Sequence, residues 1–151
     1  MDFLWDTNIL VHYIRESNLY NQMDEQYGFL GPSNRVFLSI VSIGEIYSLA
    51  KQRQWGVKKM KQLENTLQAI HPLAIAKKNI IQAYAEIDAY SQNKLPGRSL
   101  PEGMSARNMG KNDLWIAATA HVIKAHLFTT DNDFNHLNPS YIKLIMEGMA
   151  F

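Results

Sequence analysis

Short apolar runs alternate with longer segments of helical periodicity along this chain. The apolar runs predict buried strands at residues 3–5, 36–38, 126–129 and 141–146, and a short strand or an extended turn at residues 73–75. Between them, apolar residues recur every three or four positions and predict helices at residues 7–15, 18–30, 42–50, 57–70, 76–92 and 112–125. Strands that alternate with helices in this way indicate an α/β fold, with a mostly parallel sheet covered by helices on both faces.

Residues 94–111 interrupt this alternation. The segment contains two prolines and three glycines, a composition typical of a mobile loop rather than of a packed element. It leads directly into the predicted helix that begins at Asn112.

Length and composition set limits on the class of protein. With 151 residues, the chain is expected to form a single domain, residues 1–151. It contains no cysteine, which excludes disulfides, zinc thiolates and thiol nucleophiles and fits a reducing compartment such as the cytoplasm. No apolar stretch approaches the roughly 20 residues of a membrane span, and the acidic N-terminus is unlike an export signal.

The net charge gives little sign of bulk attraction to nucleic acid. It is +1 at pH 7, so any such binding would depend on local basic residues or on metal ions. Arg98, Arg107 and Lys111 lie near Asp113 in sequence and are the preferred candidates for contacts with an RNA backbone. The alternative is that these three residues form an ordinary solvated face.

Four acidic residues, far apart in the chain, follow predicted strands or open predicted helices. They are Asp6, Glu45, Asp113 and Asp131. Each has a local explanation. Asp6 and Asp113 suit helix N-termini, and Asp131 suits a turn. Glu45 fits a capping box with Ser42, three residues before it.

Taken together, the four acids have a shared explanation. Asp6 and Asp131 follow different strands, and the carboxyl ends of parallel strands meet at one edge of a sheet. Helices that begin near that edge would add Glu45 and Asp113. Four carboxylates crowd unfavourably without a counter-ion, and hard divalent cations such as Mg²⁺ prefer carboxylate oxygens. The four acids therefore predict a metal site.

The residues around these acids resemble the motifs of the PIN domain, most closely those of VapC-type toxins of bacterial toxin–antitoxin pairs. The motifs are Asp-Thr-Asn-Ile-Leu at 6–10, a Ser and Glu-Ile within 42–46, Asn-Asp-x-x-Ile-Ala-Ala-x-Ala at 112–120, and Thr-x-Asp-x-Asp-Phe at 129–134. Their order is highly specific, and they extend over nearly the whole chain. The resemblance implies a single PIN-like domain with a five-stranded sheet.

The resemblance also implies a Mg²⁺- or Mn²⁺-dependent ribonuclease that leaves 5′-phosphate and 3′-hydroxyl ends. Its catalytic, metal-binding quartet corresponds to Asp6, Glu45, Asp113 and Asp131. Its supporting positions correspond to Thr7, Asn8, Asn112 and Thr129, with Asp133 as an auxiliary acid or a helix cap. None of the five histidines lies in a motif, which argues against a metal-independent ribonuclease that relies on histidine acid–base chemistry.

The implied partners are RNA as substrate, a second copy of the chain in a homodimer, and a small antitoxin that inserts a basic residue into the acidic site. No membrane partner is expected. Two alternatives stay open: a housekeeping PIN nuclease in RNA processing, and a non-catalytic PIN-like module that binds RNA or protein.

Overall fold

Five short strands form one sheet within residues 1–146, the part of the chain that the computed structural model describes. They are β1 (Asp2–Trp5), β2 (Arg35–Ser39), β3 (His71–Leu73), β4 (His126–Phe128) and β5 (Lys143–Ile145). Their order across the sheet is β3-β2-β1-β4-β5, and every neighbouring pair is parallel. The predicted parallel α/β fold is confirmed. The predicted domain end at residue 151 lies outside the described residues.

In the described part of the chain, six α-helices connect or flank these strands. They are α1 (Thr7–Ile14), α2 (Asn18–Tyr27), α3 (Ile40–Gln52), α4 (Val57–Ala69), α5 (Lys78–Ser91) and α6 (Lys111–Ile123). A short 3₁₀ helix, Asn132–Leu137, follows β4 and is absent from the sequence prediction. Helix α2 ends earlier than predicted because Gly28 adopts the left-handed conformation, with φ of 56°, and closes it. None of the described helices is long and apolar enough to cross a lipid bilayer.

The sheet separates two apolar cores. Successive strand residues point to opposite faces, so Phe3 and Trp5 join one core while Leu4 joins the other. Buried residues of α1, α2, α3 and α4 complete the first core, and those of α5 and α6 complete the second. Helices therefore cover both faces, as predicted.

The strand order creates a crevice at the carboxyl ends of β1 and β4. From β1 the chain proceeds through β2 and β3 on one side, and then returns to place β4 and β5 on the other. Such a reversal of direction is where parallel α/β folds build their binding sites. Trp5 and Phe128 form the last register pair, and the Asp6 N–H donates to the Phe128 carbonyl at 3.0 Å. The chain segments after both strands thus emerge side by side.

The start of α3 differs from the prediction. Strand β2 leads into α3 without a loop, and Ser39 caps the helix because its hydroxyl accepts from the Val41 N–H at 3.2 Å. Ser42 lies inside the first turn and is fully buried. The predicted helix start at Ser42, and with it the capping box to Glu45, is wrong.

The segment between α5 and α6 is anchored rather than loose. Leu100 and Met109 are buried, the Leu100 N–H donates to Asn93 Oδ1 at 3.0 Å, and the Arg107 N–H donates to the Ser91 carbonyl at 2.8 Å. The predicted mobile loop is wrong for these positions, because apolar burial and backbone hydrogen bonds hold them against α5.

Candidate metal centre

Asp6 is the most buried acid of the candidate site, with 4% of its surface exposed. It follows β1 directly and caps α1, because its Oδ1 accepts from the Thr7 N–H at 2.6 Å. Its Oδ2 accepts from the Thr129 hydroxyl at 2.8 Å. Burial raises the pKa of Asp6 to about 6, the two hydrogen bonds act in the opposite direction, and Glu45 and Asp131 add to the rise.

Thr129 connects the ends of the two central strands. It is fully buried just after β4, and its hydroxyl donates to Asp6 while accepting from the Asp131 N–H at 2.9 Å. One hydroxyl therefore fixes both the buried carboxylate and the start of the turn that carries Asp131. The role of Thr129 as a supporting residue of a catalytic site stays a prediction.

Glu45 faces the site from the second turn of α3. The Thr7 hydroxyl donates to Glu45 Oε1 at 2.9 Å, and the negative charge of Glu45 contributes to the raised pKa of both Asp6 and Asp113. The predicted capping box between Ser42 and Glu45 does not form, because α3 begins at Ile40 with Ser39 as its cap. With that box absent, the Glu45 carboxylate lies with Asp6, and we call these two the inner acids.

Three further carboxylates form a tighter group, which we call the outer acids: Asp113, Asp131 and Asp133. One oxygen from each lies within 4.8 Å of the others. Oxygens that share one Mg²⁺ at about 2.1 Å lie up to about 4.2 Å apart, so small side-chain adjustments bring this group to ligand spacing. Asp131 caps the 3₁₀ helix by accepting from the Asp133 N–H at 2.9 Å. The alternative that Asp133 is the cap is therefore wrong.

Burial and the negative charges of all the other acids raise the pKa of Asp113. It lies in the first turn of α6, where burial raises its pKa to about 6, and Asp6, Asp131, Glu45 and Asp133 add to the rise in that order. Among the described residues, no cationic side chain forms an ion pair with any of these five carboxylates. An all-oxygen, strongly negative and partly buried donor set fits a hard divalent cation.

The supporting and basic candidates fall in different places. Asn8 and Asn112 are exposed in the first turns of α1 and α6, and Asn112 lines an open groove along α3 together with Glu45. Lys111 is exposed as the first residue of α6. Arg107 Nη1 donates to the Asp133 carbonyl at 3.5 Å, at the edge of the outer acids.

Arg98 is engaged away from the acids. Its guanidinium lies 4.3 Å from the ring centre of Tyr141, 3.7 Å from Glu86 Oε1 and 3.4 Å from the Ser140 carbonyl. The structure therefore brings Arg107, but not Arg98, to the turn that carries the outer acids.

Sequence reasoning missed a buried polar pair behind this turn. His136 is 2% exposed, and its Nε2 lies 2.7 Å from Ser91 Oγ. Burial lowers the pKa of His136 to about 4, with the positive charge of Arg107 acting in the same direction. The two residues are 45 positions apart, and no local pattern connects them.

Solved structures of other proteins contain the same fold. A chain of VapBC2 from Rickettsia felis, solved with a DNA fragment from their promoter, matches with a TM-score of 0.76 and 20% identity over 97% of this chain and 98% of that one. A chain of VapBC-1 from nontypeable Haemophilus influenzae matches with a TM-score of 0.71 and 23% identity over 97% of this chain and 98% of that one. A chain of FitAcB from Neisseria gonorrhoeae matches with a TM-score of 0.64 and 20% identity over 95% of this chain and 96% of that one.

The sequence comparisons decide the family. A search of curated proteins gives no match. The sequence model of the PIN domain, in contrast, matches residues 3–138, a span that contains all five acids. Because this match covers most of the chain, the protein belongs to the PIN domain family, as its motifs predict.

Proposed function

We propose that the protein is a metal-dependent endoribonuclease that hydrolyses RNA phosphodiester bonds to 5′-phosphate and 3′-hydroxyl ends. One observation carries the proposal: the oxygens of Asp113, Asp131 and Asp133 converge within 4.8 Å beside the buried Asp6. Within residues 1–146, these acids have no ion-pair partner. Such a concentration of negative charge serves no purpose in packing and suits a cation that contacts a phosphate.

Asp6, Glu45, Asp113 and Asp131 would hold a Mg²⁺ or Mn²⁺ ion. Such an ion, when bound, activates water and neutralises the charge that develops on a phosphate. The catalytic quartet of the proposal is Asp6, Glu45, Asp113 and Asp131, and Asp133 is an additional ligand.

The chain's own residues orient these carboxylates. The Thr7 N–H and the Thr129 hydroxyl direct the two oxygens of Asp6, and the Thr7 hydroxyl holds Glu45. Asp6 and Asp113, whose pKa values are about 6, must both be ionised to act as ligands. Arg107 and Lys111, which flank the acids, would hold the RNA backbone on one side.

We further infer that this nuclease is the toxin of a type II toxin–antitoxin pair. The structures that share its fold include a toxin–antitoxin complex from Klebsiella pneumoniae and a member of the VapBC family of toxin–antitoxin systems from Mycobacterium tuberculosis, which supports a small antitoxin as a partner. We also propose that the toxin acts as a homodimer in the cytoplasm.

The test is cleavage of a tRNA, rRNA and mRNA panel with Mg²⁺ or Mn²⁺, followed by mapping of the ends. We expect cleavage by the wild type and a loss of at least about a hundredfold in Asp113→Asn, since even outer-shell changes cost 10–100-fold. Asp88→Asn is the matched control, because Asp88 lies on α5 and its side chain accepts from Gln92. Wild-type cleavage by folded Asp113→Asn would contradict the proposal.

A second measurement separates the toxin from a housekeeping nuclease. Expression of the wild type alone is expected to arrest growth, and co-expression of the product of a neighbouring small gene is expected to relieve the arrest. Verified metal-dependent cleavage without any growth defect would favour the housekeeping role.

A further inference from the structure

Ser91, the last residue of α5, contacts two segments at once. Its hydroxyl lies 2.7 Å from His136 Nε2 and donates to the Met109 sulfur at 3.4 Å. All three side chains are buried. A neutral His136 that donates from Nε2 leaves the Ser91 hydrogen free for the sulfur, so both contacts form together.

The first of these segments carries Asp113. Met109 directly precedes Gly110, which caps α6, and Asp113 lies in the first turn of that helix. The backbone of the same segment is fixed as well, because the Arg107 N–H donates to the Ser91 carbonyl at 2.8 Å. Ser91 therefore fixes the segment that leads into α6, residues 107–110, through both its side chain and its backbone.

The second segment carries the other two outer acids. His136 lies in the 3₁₀ helix that Asp131 caps and that includes Asp133. Arg107 adds a further contact, since its Nη1 donates to the Asp133 carbonyl at 3.5 Å. The two segments that must meet to form the outer acid group are thus joined through the buried side chains of Ser91, Met109 and His136, and through the partly exposed Arg107.

We propose that Ser91, Arg107 and His136 form a positioning network that sets the spacing of the outer acids and so the metal affinity of the site. The inference rests on the proposed function, because it concerns the same metal site. None of the three residues is a ligand. Each acts through the backbone of α6 or of the 3₁₀ helix, and loss of such second-layer contacts typically costs 10–100-fold in metal affinity.

The test is the dissociation constant of Mn²⁺, measured by electron paramagnetic resonance on purified protein without RNA. We expect Ser91→Ala to weaken Mn²⁺ binding about tenfold. We also expect raised Mn²⁺ concentrations to restore RNA cleavage, which general loss of structure would not allow.

Thr66→Val is the matched control. The Thr66 hydroxyl is also buried and donates to the Gln62 carbonyl at 2.7 Å, but it lies on α4. Loss of that hydroxyl removes a comparable hydrogen bond, and it should leave Mn²⁺ affinity within about twofold of wild type because distant sites act independently.

A pair of His136 variants tests the side-chain hydrogen bond. His136→Leu removes the donor to Ser91 and should weaken Mn²⁺ binding as Ser91→Ala does. His136→Gln carries an amide that reaches the same position, and it should recover part of the affinity. Wild-type Mn²⁺ affinity in folded Ser91→Ala would overturn the network even if His136→Leu fails to fold.

These outcomes are distinct from failure of the proposed function. A wild type that binds no Mn²⁺ and cleaves no RNA overturns both proposals. A wild type that binds and cleaves, with variants of equal Mn²⁺ affinity, overturns the network alone.

Discussion

The inner and outer acids are held in place by different parts of the molecule. Asp6 is fixed by groups at the ends of the central strands, the Thr7 N–H and the Thr129 hydroxyl, and is almost fully buried. The outer acids lie on α6 and the 3₁₀ helix, and Asp133 is exposed. The sheet therefore determines the position of Asp6. The positions of the outer acids depend in addition on contacts among α5, α6 and the 3₁₀ helix.

The contrast suggests a division of roles within one site. A carboxylate that is held rigidly before any ligand arrives costs little reorganisation when a cation binds. Carboxylates on surface segments can adjust their spacing, and their geometry depends on second-layer contacts such as those of Ser91. Changes near Asp6 should thus alter charge and stability together, while changes near the outer acids should alter mainly metal affinity.

The largest expected effect is the pH dependence of Mn²⁺ binding. The inner acids and the outer acids each include one carboxyl with a pKa of about 6, namely Asp6 and Asp113. Both must lose a proton to bind metal, so Mn²⁺ affinity should fall as pH drops below 6. The fall should approach about a hundredfold per pH unit if both protons must leave. Mn²⁺ titrations between pH 5 and 7.5 measure this slope, and a slope of zero would contradict the assignment.

The same two groups should destabilise the metal-free protein as pH rises. Their folded pKa values exceed the unfolded value of about 3.9, so the stability that they contribute is present below about pH 4 and is lost by about pH 6. His136, whose pKa is lowered to about 4, changes stability in the opposite direction over a similar range. Thermal unfolding in chelator should therefore be measured for the wild type and for an Asp6→Asn, Asp113→Asn double variant. The double variant retains only the contribution of His136, so its stability should rise with pH over this range.

A smaller effect is expected from substitution of Thr129, which connects the inner acid Asp6 with the outer acid Asp131. Thr129→Val keeps the shape but removes the bonds to Asp6 Oδ2 and from the Asp131 N–H. We expect a loss of about 1–3 kcal/mol in the free energy of unfolding, since buried groups are left unpaired. The lost hydrogen bond had lowered the pKa of Asp6, so the pH midpoint of Mn²⁺ binding should move upward.

Thr129→Ser is the control for this variant. It restores the hydroxyl and should return the pH midpoint to the wild-type value, with only a small stability loss from the missing methyl group. A midpoint that is identical in the Val and Ser variants would show that the hydroxyl does not tune Asp6.

The sequence was sufficient for the part of the site that the sheet determines. Asp6 and the Thr129–Asp131 turn follow apolar strand runs, and parallel strands necessarily bring such positions to one edge. The alternating strands and helices likewise predicted the architecture, since each element has its own periodicity.

The sequence was insufficient where tertiary contacts determine a helix boundary or a side-chain pairing. Ser39 and Ser42 are both reasonable helix caps, and it is the pairing of Ser39 with Leu73 of β3 that extends the strand up to the start of the helix. The pairing of Ser91 with His136 connects residues 45 positions apart, so no periodic pattern predicts it. The anchoring of Met109 has the same cause, because proline and glycine content describes the loop but not its buried contacts.

The smallest expected effect separates two basic residues that sequence proximity treats alike. Lys111 is exposed at the start of α6, two residues before Asp113, whereas Arg98 is engaged by Glu86 and Tyr141. A residue that neutralises one phosphate of single-stranded RNA contributes about 0.7 to the slope of log affinity against log salt. We expect Lys111→Gln to reduce the slope by that amount and Arg98→Gln to leave it unchanged. RNA affinity measured at several salt concentrations gives the slope for each variant. Equal slopes for Lys111→Gln and Arg98→Gln would mean that the location of Lys111 beside the outer acids does not determine which residue contacts the RNA backbone.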